Sequence, residues 1–393
     1  MSSLFGSKTV VSADVELNRF LLQNDMKMFE PGWPTSFKKI FGKNAISLHV
    51  GDAHKYMRSV IVSFLNSEKH RAVFLGDAEQ LVSMALSTWK DKSVICVVDE
   101  SRKFTFNMLL RNIMRMEPGE ETDKLGREFE ALMKGLMSIP LSLPGTSYWK
   151  ALQARVKLLR VVNKKIEERN QKKRNGDALK DDDFLGWVMK NTDYSTEEMG
   201  DLMLTMLFGG YESTARAIPL ALYFLGSCPD AVEQLKEEHI QIDRHKKKDG
   251  KLEWDDYKKM DFTQCVINEA LRLGNIAKFI KRKATADVHF NGFTIPNQCS
   301  VTANFAAVHL DPSLYEEPEL FNPWRWKITK SKNFMAFGGG ARQCPGAELA
   351  RLEMAVFLHY LALTWKWELE EPDHPLAMPY VHFPKGLPIR ITK

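Results

Sequence analysis

Phe337-Gly338-Gly339-Gly340-Ala341-Arg342-Gln343-Cys344-Pro345-Gly346 is the stretch whose reading decides the fold of this chain. It runs straight into an apolar helical segment. A single thiol on a glycine-rich loop, with Arg342 two residues before it and a helix N-terminus behind it, is a thiolate prepared to act as a ligand. Both the guanidinium and the helix dipole favour the ionised sulfur. The glycines let the backbone approach a neighbour closely, and Pro345 suits the first position of a helix. Two plainer readings compete: an inert core thiol, and a nucleotide-binding loop. The second fails, because Gln343 stands where G-x-G-x-x-G needs its last glycine and no Gly-Lys-Ser/Thr follows.

Working outward, the other cysteines stand at 96, 228, 265 and 299. No pair is spaced as C-x-x-C and the total of five is odd, which argues against a disulfide framework and a structural zinc site. Their apolar surroundings fit core thiols. Hydrophobic residues make up 44% and charged residues 27% of the 393, a globular balance able to bury a large core. The net charge of +5 is spread out, with Lys246-Lys247-Lys248 and the mixed stretch 163–183 standing out. Without an arginine-rich arm or an aromatic-interleaved basic stripe, nucleic acid is excluded as a partner. No uncharged apolar run reaches the length of a membrane span, and the start lacks the pattern of a signal peptide.

Apolar periodicity predicts helices over 14–23, 51–67, 76–89, 101–114, 122–137, 148–169, 195–226, 230–245, 262–273 and 346–364. The segment 195–226 is the longest. Ser195 and Glu198 form its capping box, and Gly209, Gly210 and Pro219 weaken its interior. Short strands are expected at 9–11, 288–290, 292–295 and 300–302, with Asn291-Gly292 as a hairpin turn and a strand-like tail from 372. Residues 170–183 read as a surface loop. The fold class is mainly α with small β-sheets (α+β), in one domain covering 1–393.

Four further groups carry candidate chemistry. Glu269 and Arg272 share a helix face; alone they read as an ordinary surface ion pair. Arg325 lies between Trp324 and Trp326, which suggests a packed guanidinium. Glu212-Ser213-Thr214 follows the two glycines of the longest helix, where an acid and two hydroxyls can line a cavity and relay protons. Packing through small residues accounts for the glycines but not for a carboxylate in an apolar helix. His54 and Arg58, one turn apart, are either a surface pair or two donors aimed at one anionic group.

These groups coincide in one family. Phe337, Gly340, Arg342, Cys344 and Gly346 complete Phe-x-x-Gly-x-Arg-x-Cys-x-Gly, Glu269 and Arg272 supply Glu-x-x-Arg, and Arg325 follows. On these residues the chain resembles the cytochrome P-450, or haem-thiolate monooxygenase, family over essentially its whole length. It is similar in particular to the plant branch of brassinosteroid-forming steroid C-22 hydroxylases. The stretches 11–24, 103–107, 143–146, 254–268, 321–326 and 383–389 carry that closer likeness.

The resemblance implies a cytochrome P-450 fold with a long central helix over haem b. Cys344 would be the axial thiolate ligand of its iron. Arg342, Arg282, His54 and Arg58 would pair with the propionates through charge-assisted bonds. Phe337 would pack beside the thiolate, and Glu269, Arg272 and Arg325 would hold the structure behind the haem. Glu212 and Ser213 would deliver protons for O2 activation, with Thr214 a substitute if the helix is locally unwound. Ser213 stands where the family usually has threonine. The substrate would be a largely apolar sterol. Electrons would come from NADPH through a separate flavoprotein reductase, since the chain has no flavin or nicotinamide motif. Membrane association at the cytosolic face of the endoplasmic reticulum is expected for the family. The amino-terminal anchor, proline-rich hinge, first helix and first strand are expected to be missing, the chain starting at Leu4-Phe5-Gly6. Two alternatives follow from the same residues. One is a haem-thiolate isomerase or dehydratase, against which Glu212 and Ser213 argue. The other is a truncated haem-binding product with little or no turnover.

Overall fold

The computed structural model describes residues 2–4, 7–136, 138–178, 180–246, 250–328, 332–377 and 380–393. Phe5, Gly6, Met137, Lys247 and Lys248, named above, lie outside them. Helices dominate and the sheets are small, as the patterning predicts. The chain divides into two compact units.

The first unit comprises Met1–Gly32, Phe74–Phe104 and Glu212–Lys393. Its five-stranded sheet has the order Ser2–Leu4, Ser7–Ser12, Ser300–Asn304, Phe279–Ala284, Phe29–Pro31. Ser7–Ser12 lies parallel to Ser300–Asn304, with Thr9 opposite Ser300; the other pairs are antiparallel. Leu21, Leu22, Phe29, Val301, Ala303, Phe305 and Met335 close a core beneath this sheet. The helix Val15–Gln23 enters it from a cap in which Asp14 Oδ1 accepts the Leu17 N–H at 2.6 Å. Pro229–His245, Asp261–Gly274 and Ala347–Thr364 pack on one another. A second sheet joins Val94–Cys96, Pro388–Thr392 and Lys366–Leu369.

The second unit comprises Trp33–Val73 and Thr105–Tyr211. The helices Glu120–Leu136 and Ser147–Arg174 pack so closely that a Cβ on Gly135 would lie 2.2 Å from that of Ala151. Asp183 caps the helix Phe184–Asn191 through the Gly186 N–H at 2.8 Å. It also holds the Arg169 guanidinium, with Nη1 at 2.7 Å.

The helix Thr196–Gly226 begins with the expected reciprocal cap. The Ser195 N–H donates to Glu198 Oε2 at 2.8 Å and the Glu198 N–H to Ser195 Oγ at 3.3 Å. It then runs unbroken through Gly209, Gly210 and Pro219. Gly210 has a packing reason: a Cβ there would meet Leu109 Cδ2 at 2.5 Å.

Elsewhere the boundaries move. Ser147–Arg174 extends through the first residues of the expected loop, because Arg174 bonds Glu167 at 3.0 Å and three basic residues suit the C-terminal dipole. Glu68–Ser87 starts well before Gly76, a residue with open space around it. The strand Phe279–Ala284 is not among the strands named above: it is paired on both sides, exposed at Phe279, half-buried over 280–283 and buried at Ala284, and its Lys/Arg-rich sequence shows no alternation.

Candidate active site around Cys344

Cys344 lies between the short Gly340–Arg342 turn and the helix Ala347–Thr364. It is exposed, whereas Cys265 and Cys299 are buried and Cys96 and Cys228 half-buried. The Cys344 N–H donates to the Phe337 carbonyl at 2.9 Å, the Gln343 N–H to Gly340 at 3.2 Å, and the Gly338 N–H to Met335 at 2.9 Å. Gly338 and Gly340 have φ of +68° and +63°, a region that L side chains avoid. A Cβ at Gly340 would lie 1.9 Å from the Leu22 carbonyl oxygen, so the loop is pressed onto the end of Val15–Gln23. Met335 is anchored in turn by its N–H, which donates to His309 Nε2 at 2.9 Å. Burial, with Arg272 second, drives His309 down to about 4, which keeps that nitrogen an acceptor.

Behind the loop, the buried carboxylate of Asp25 receives two arginines. Arg282 Nε lies 2.8 Å and Arg342 Nε 3.3 Å from it. Asp25 thus fixes the direction of two guanidiniums, each a donor of the kind that binds a carboxylate. The structure thus brings together two of the four predicted arginine and histidine donors. His54, buried, and Arg58, half-buried, lie one turn apart on Gly51–Asn66 in the second unit.

Within Thr196–Gly226 the residues near the glycines are buried or half-buried, but Gly209 and Ser213, one turn apart, are exposed. A Cβ on Gly209 would meet nothing within 4 Å. Thr214 is buried (3% exposed) and the helix is unbroken across it, so the local unwinding that would turn Thr214 outward is absent. Glu212 and Arg216, both half-buried, form an ion pair one turn apart. The Arg216 guanidinium stands 4.7 Å above the Tyr380 ring. Burial pushes the Tyr380 phenol up, with Arg216 opposing and Glu212 adding. Arg216 and Pro219 line a cavity of about 330 Å³ with Ala215, Arg102 and Phe383.

Glu269, Arg272 and Arg325 meet as expected. Arg272 grips Glu269 with two bonds, Nε at 2.9 Å and Nη2 at 2.7 Å, and Arg325 Nε adds a third at 2.9 Å. Glu269 and Arg272 are fully buried. The Trp326 indole N–H also donates to Glu269, at 2.9 Å, and the Asn322 N–H at 3.1 Å. Arg272 Nη1 closes onto the carbonyls of His309 and Pro318 at 2.7 and 2.6 Å, tying the cluster to the residue that anchors Met335.

The sequence reading missed three residues: Asp25, Trp326 as a donor, and Arg351, whose guanidinium lies 4.9 Å from the Phe337 ring centroid. Aromatic flanks around Arg325 were a signal for Trp326. Asp25 and Arg351 sit in no motif; each is defined by partners far away in sequence.

The residues fit a haem. An exposed thiol sits on a loop fixed by backbone bonds of its own, Ser213 is exposed beside buried Thr214 and Ala215, and Asp25 gathers two arginines behind the loop. Thiolate, open space and cations are what a propionate-bearing macrocycle with a cysteine axial ligand asks of a protein.

Comparison with known proteins agrees. The cytochrome P450 family model matches residues 2–385. Steroid (22S)-hydroxylase of Oryza sativa subsp. japonica is 50% identical over 100% of this chain and 80% of that protein. Cholesterol 22-monohydroxylase CYP90B52 of Paris polyphylla is 47% identical over 99% of the chain and 84% of its own length. Among solved structures, retinoic-acid-bound cyanobacterial CYP120A1 superposes with a TM-score of 0.89 at 27% identity, covering 99% of this chain and 90% of that one.

Proposed function

The chain belongs to the cytochrome P450 family of haem-thiolate monooxygenases, and on that premise we propose that it hydroxylates a plant sterol at side-chain position C-22, a step of brassinosteroid formation. The observation that carries the reading is likeness: at 50% identity over the full chain, a relative is named for 22-hydroxylation of a steroid. The name of the Paris polyphylla relative supports a sterol as the substrate. The span of the family model supports treating residues 1–393 as one functional domain.

Haem bound through a cysteine thiolate supplies the activation of O2, the thiolate pushing electron density toward O–O cleavage. Cys344 is proposed as that ligand, on its exposure and its place before the helix Ala347–Thr364. Arg342 and Arg282, held by Asp25, are proposed to bind a propionate carboxylate, and His54 and Arg58 are kept as further propionate donors. Phe337 holds the ligand loop through its carbonyl. Ser213 presents its hydroxyl on the exposed face of the long helix, and Glu212 beside it is held by Arg216. Together they are proposed to hand protons inward. Glu269, Arg272 and Arg325 keep the segments behind the loop in register.

The family takes electrons from a redox partner. An NADPH-dependent flavoprotein reductase is proposed here, with residence at the cytosolic face of the endoplasmic reticulum membrane. Among the described residues no helix is long and apolar enough to cross a membrane.

The test has two stages. The reduced protein with carbon monoxide must show the red-shifted band of a thiolate-ligated haem, and Cys344→Ser must abolish it. Then, with reductase and NADPH, a panel of plant sterols is assayed by mass spectrometry. Products hydroxylated only at positions other than C-22 would overturn the regiochemistry while leaving the monooxygenase assignment standing.

A further inference from the structure

We propose that Arg351 is a positioning residue for the Cys344 ligand loop, acting through the ring of Phe337. The inference rests on the haem-thiolate reading above and adds a residue to it. Arg351 lies one turn into the helix that follows the ligand loop. Its guanidinium carbon stands 4.9 Å from the Phe337 ring centroid, inside the range of about 6 Å in which a cation is attracted to a ring face. Its Nη1 donates to Asn268 Oδ1 at 2.6 Å and reaches Gln264 Oε1 at 3.4 Å, so two side-chain amides of the neighbouring helix Asp261–Gly274 fix its direction.

What sets this arginine apart is its set of partners. Among the described residues no carboxylate pairs with it. Glu348, the nearest candidate on its own helix, takes the Tyr257 hydroxyl at 2.8 Å. Burial works against the charge of Arg351 and pulls its pKa down, yet a guanidinium remains protonated in proteins. Its hydrogen bonds go to amide oxygens and its face to a ring, with Glu348 and Tyr257 acting on it only at a distance, so its charge is compensated only in part. Arg342, by contrast, spends charge on Asp25.

Phe337 passes this on. Its carbonyl accepts the Cys344 N–H at 2.9 Å, so the residue whose ring Arg351 covers also orients the main chain of the proposed ligand. Two effects follow. The stacked cation holds the first turn of the ligand loop in one conformation, and its charge favours the more negative, reduced form of a thiolate-ligated haem. Lysine at 351 keeps the second effect and part of the first, because an ammonium can stand over the ring but lacks the planar fork that grips Asn268.

The experiment measures the ferric/ferrous midpoint potential and the carbon monoxide band of the haem-loaded protein, with no turnover involved. Absence of a thiolate band in the parent sinks the haem-thiolate reading itself and is read first. With that band present, Arg351→Met is expected to move the midpoint to more negative values and Arg351→Lys to return it most of the way. On a Phe337→Leu background the further effect of Arg351→Met is expected to shrink, because the part carried by the ring is gone while the part carried by the charge remains. A parent-like potential in Arg351→Met, a lysine variant shifted as far as the methionine one, or a full Arg351→Met shift on the Phe337→Leu background each overturns the proposal. Should Arg351→Met fail to take up haem, Arg351→Lys decides: a potential near the parent's supports the role, and a shift as large as that of Phe337→Leu rejects it.

Discussion

Asp25 and Arg282, 257 residues apart in the sequence, meet in a buried ion pair of 2.8 Å that also draws in Arg342 from the ligand loop. The carboxylate is the hub: without it two guanidiniums, each nearly buried, lose the acceptor they share. Removing one partner of a buried pair costs about 3 to 5 kcal/mol, because the other charge stays buried. Asp25→Asn keeps the shape and loses the charge, so it is expected to lower unfolding free energy by an amount in that range. Urea denaturation checks this. A loss under about 1 kcal/mol, typical of a surface pair, would show that solvent screens the cluster.

The Glu269 cluster predicts an ordering of two tryptophans. The Trp326 indole donates to the buried Glu269 carboxylate, the Trp324 indole to neutral Gln234 at 2.7 Å. Bonds to a charged group contribute about 1.5 to 3 kcal/mol and neutral ones about 0.5 to 1.5. Trp326→Phe is therefore expected to destabilise more than Trp324→Phe, as read from denaturant midpoints. Equal losses would assign both effects to packing.

Much of this was legible from the chain. The cap of the long helix needs only Ser195 and Glu198, and the glycine loop around Cys344 contains its own geometry in φ-permissive residues. What local pattern could not supply were contacts made across the fold. Asp25 follows a short amphipathic helix in an unremarkable context, and Arg351 reads as any charged residue on an apolar helix. The strand Phe279–Ala284 was hidden for a related reason: neighbours on both sides, rather than alternation, bury its long cationic stems. The error at 170–174 runs the other way, composition suggesting disorder where charge pairs and the dipole sustain another turn.

Stability is expected to peak near neutral pH, for two opposing reasons. Burial pushes the Glu353 carboxyl up to about 8 from its ordinary 4.5. The folded chain then holds a proton that the unfolded chain has released, so stability falls as pH climbs from about 4.5 to about 8. Burial depresses His309 to about 4 and His359 to about 3 from 6.5. There the unfolded chain takes the proton first, so stability falls as pH drops below about 6.5. Two histidines outweigh one carboxyl between about pH 4.5 and 6.5, which places the maximum near 6.5. Glu353→Gln is expected to flatten the alkaline limb and to steepen the acid limb between about pH 4.5 and 6.5, where the carboxyl opposes the histidines. An unchanged alkaline limb in urea titrations would show that Glu353 ionises freely in the folded chain.

The exposed face of the long helix separates two hydroxyls that are adjacent in the sequence. Ser213 is exposed and Thr214 is 3% exposed, and successive residues of a helix point about 100° apart, so only one of them faces the open side. If Ser213 hands on protons beside Glu212, Ser213→Ala should depress product formed per NADPH consumed by about a hundredfold, the lower end of general acid–base contributions. Ser213→Thr should keep most of the yield, since the hydroxyl remains and the added methyl restricts its rotamer. Thr214→Ala should instead show its cost in unfolding free energy, about 1 kcal/mol for a buried hydroxyl, with a far smaller change in yield. The ratio of the two alanine variants is the decisive quantity. If Thr214→Ala uncouples electron use from product as strongly as Ser213→Ala, the helix must unwind at Thr214 during turnover, and the proton path runs through a conformation other than the one described.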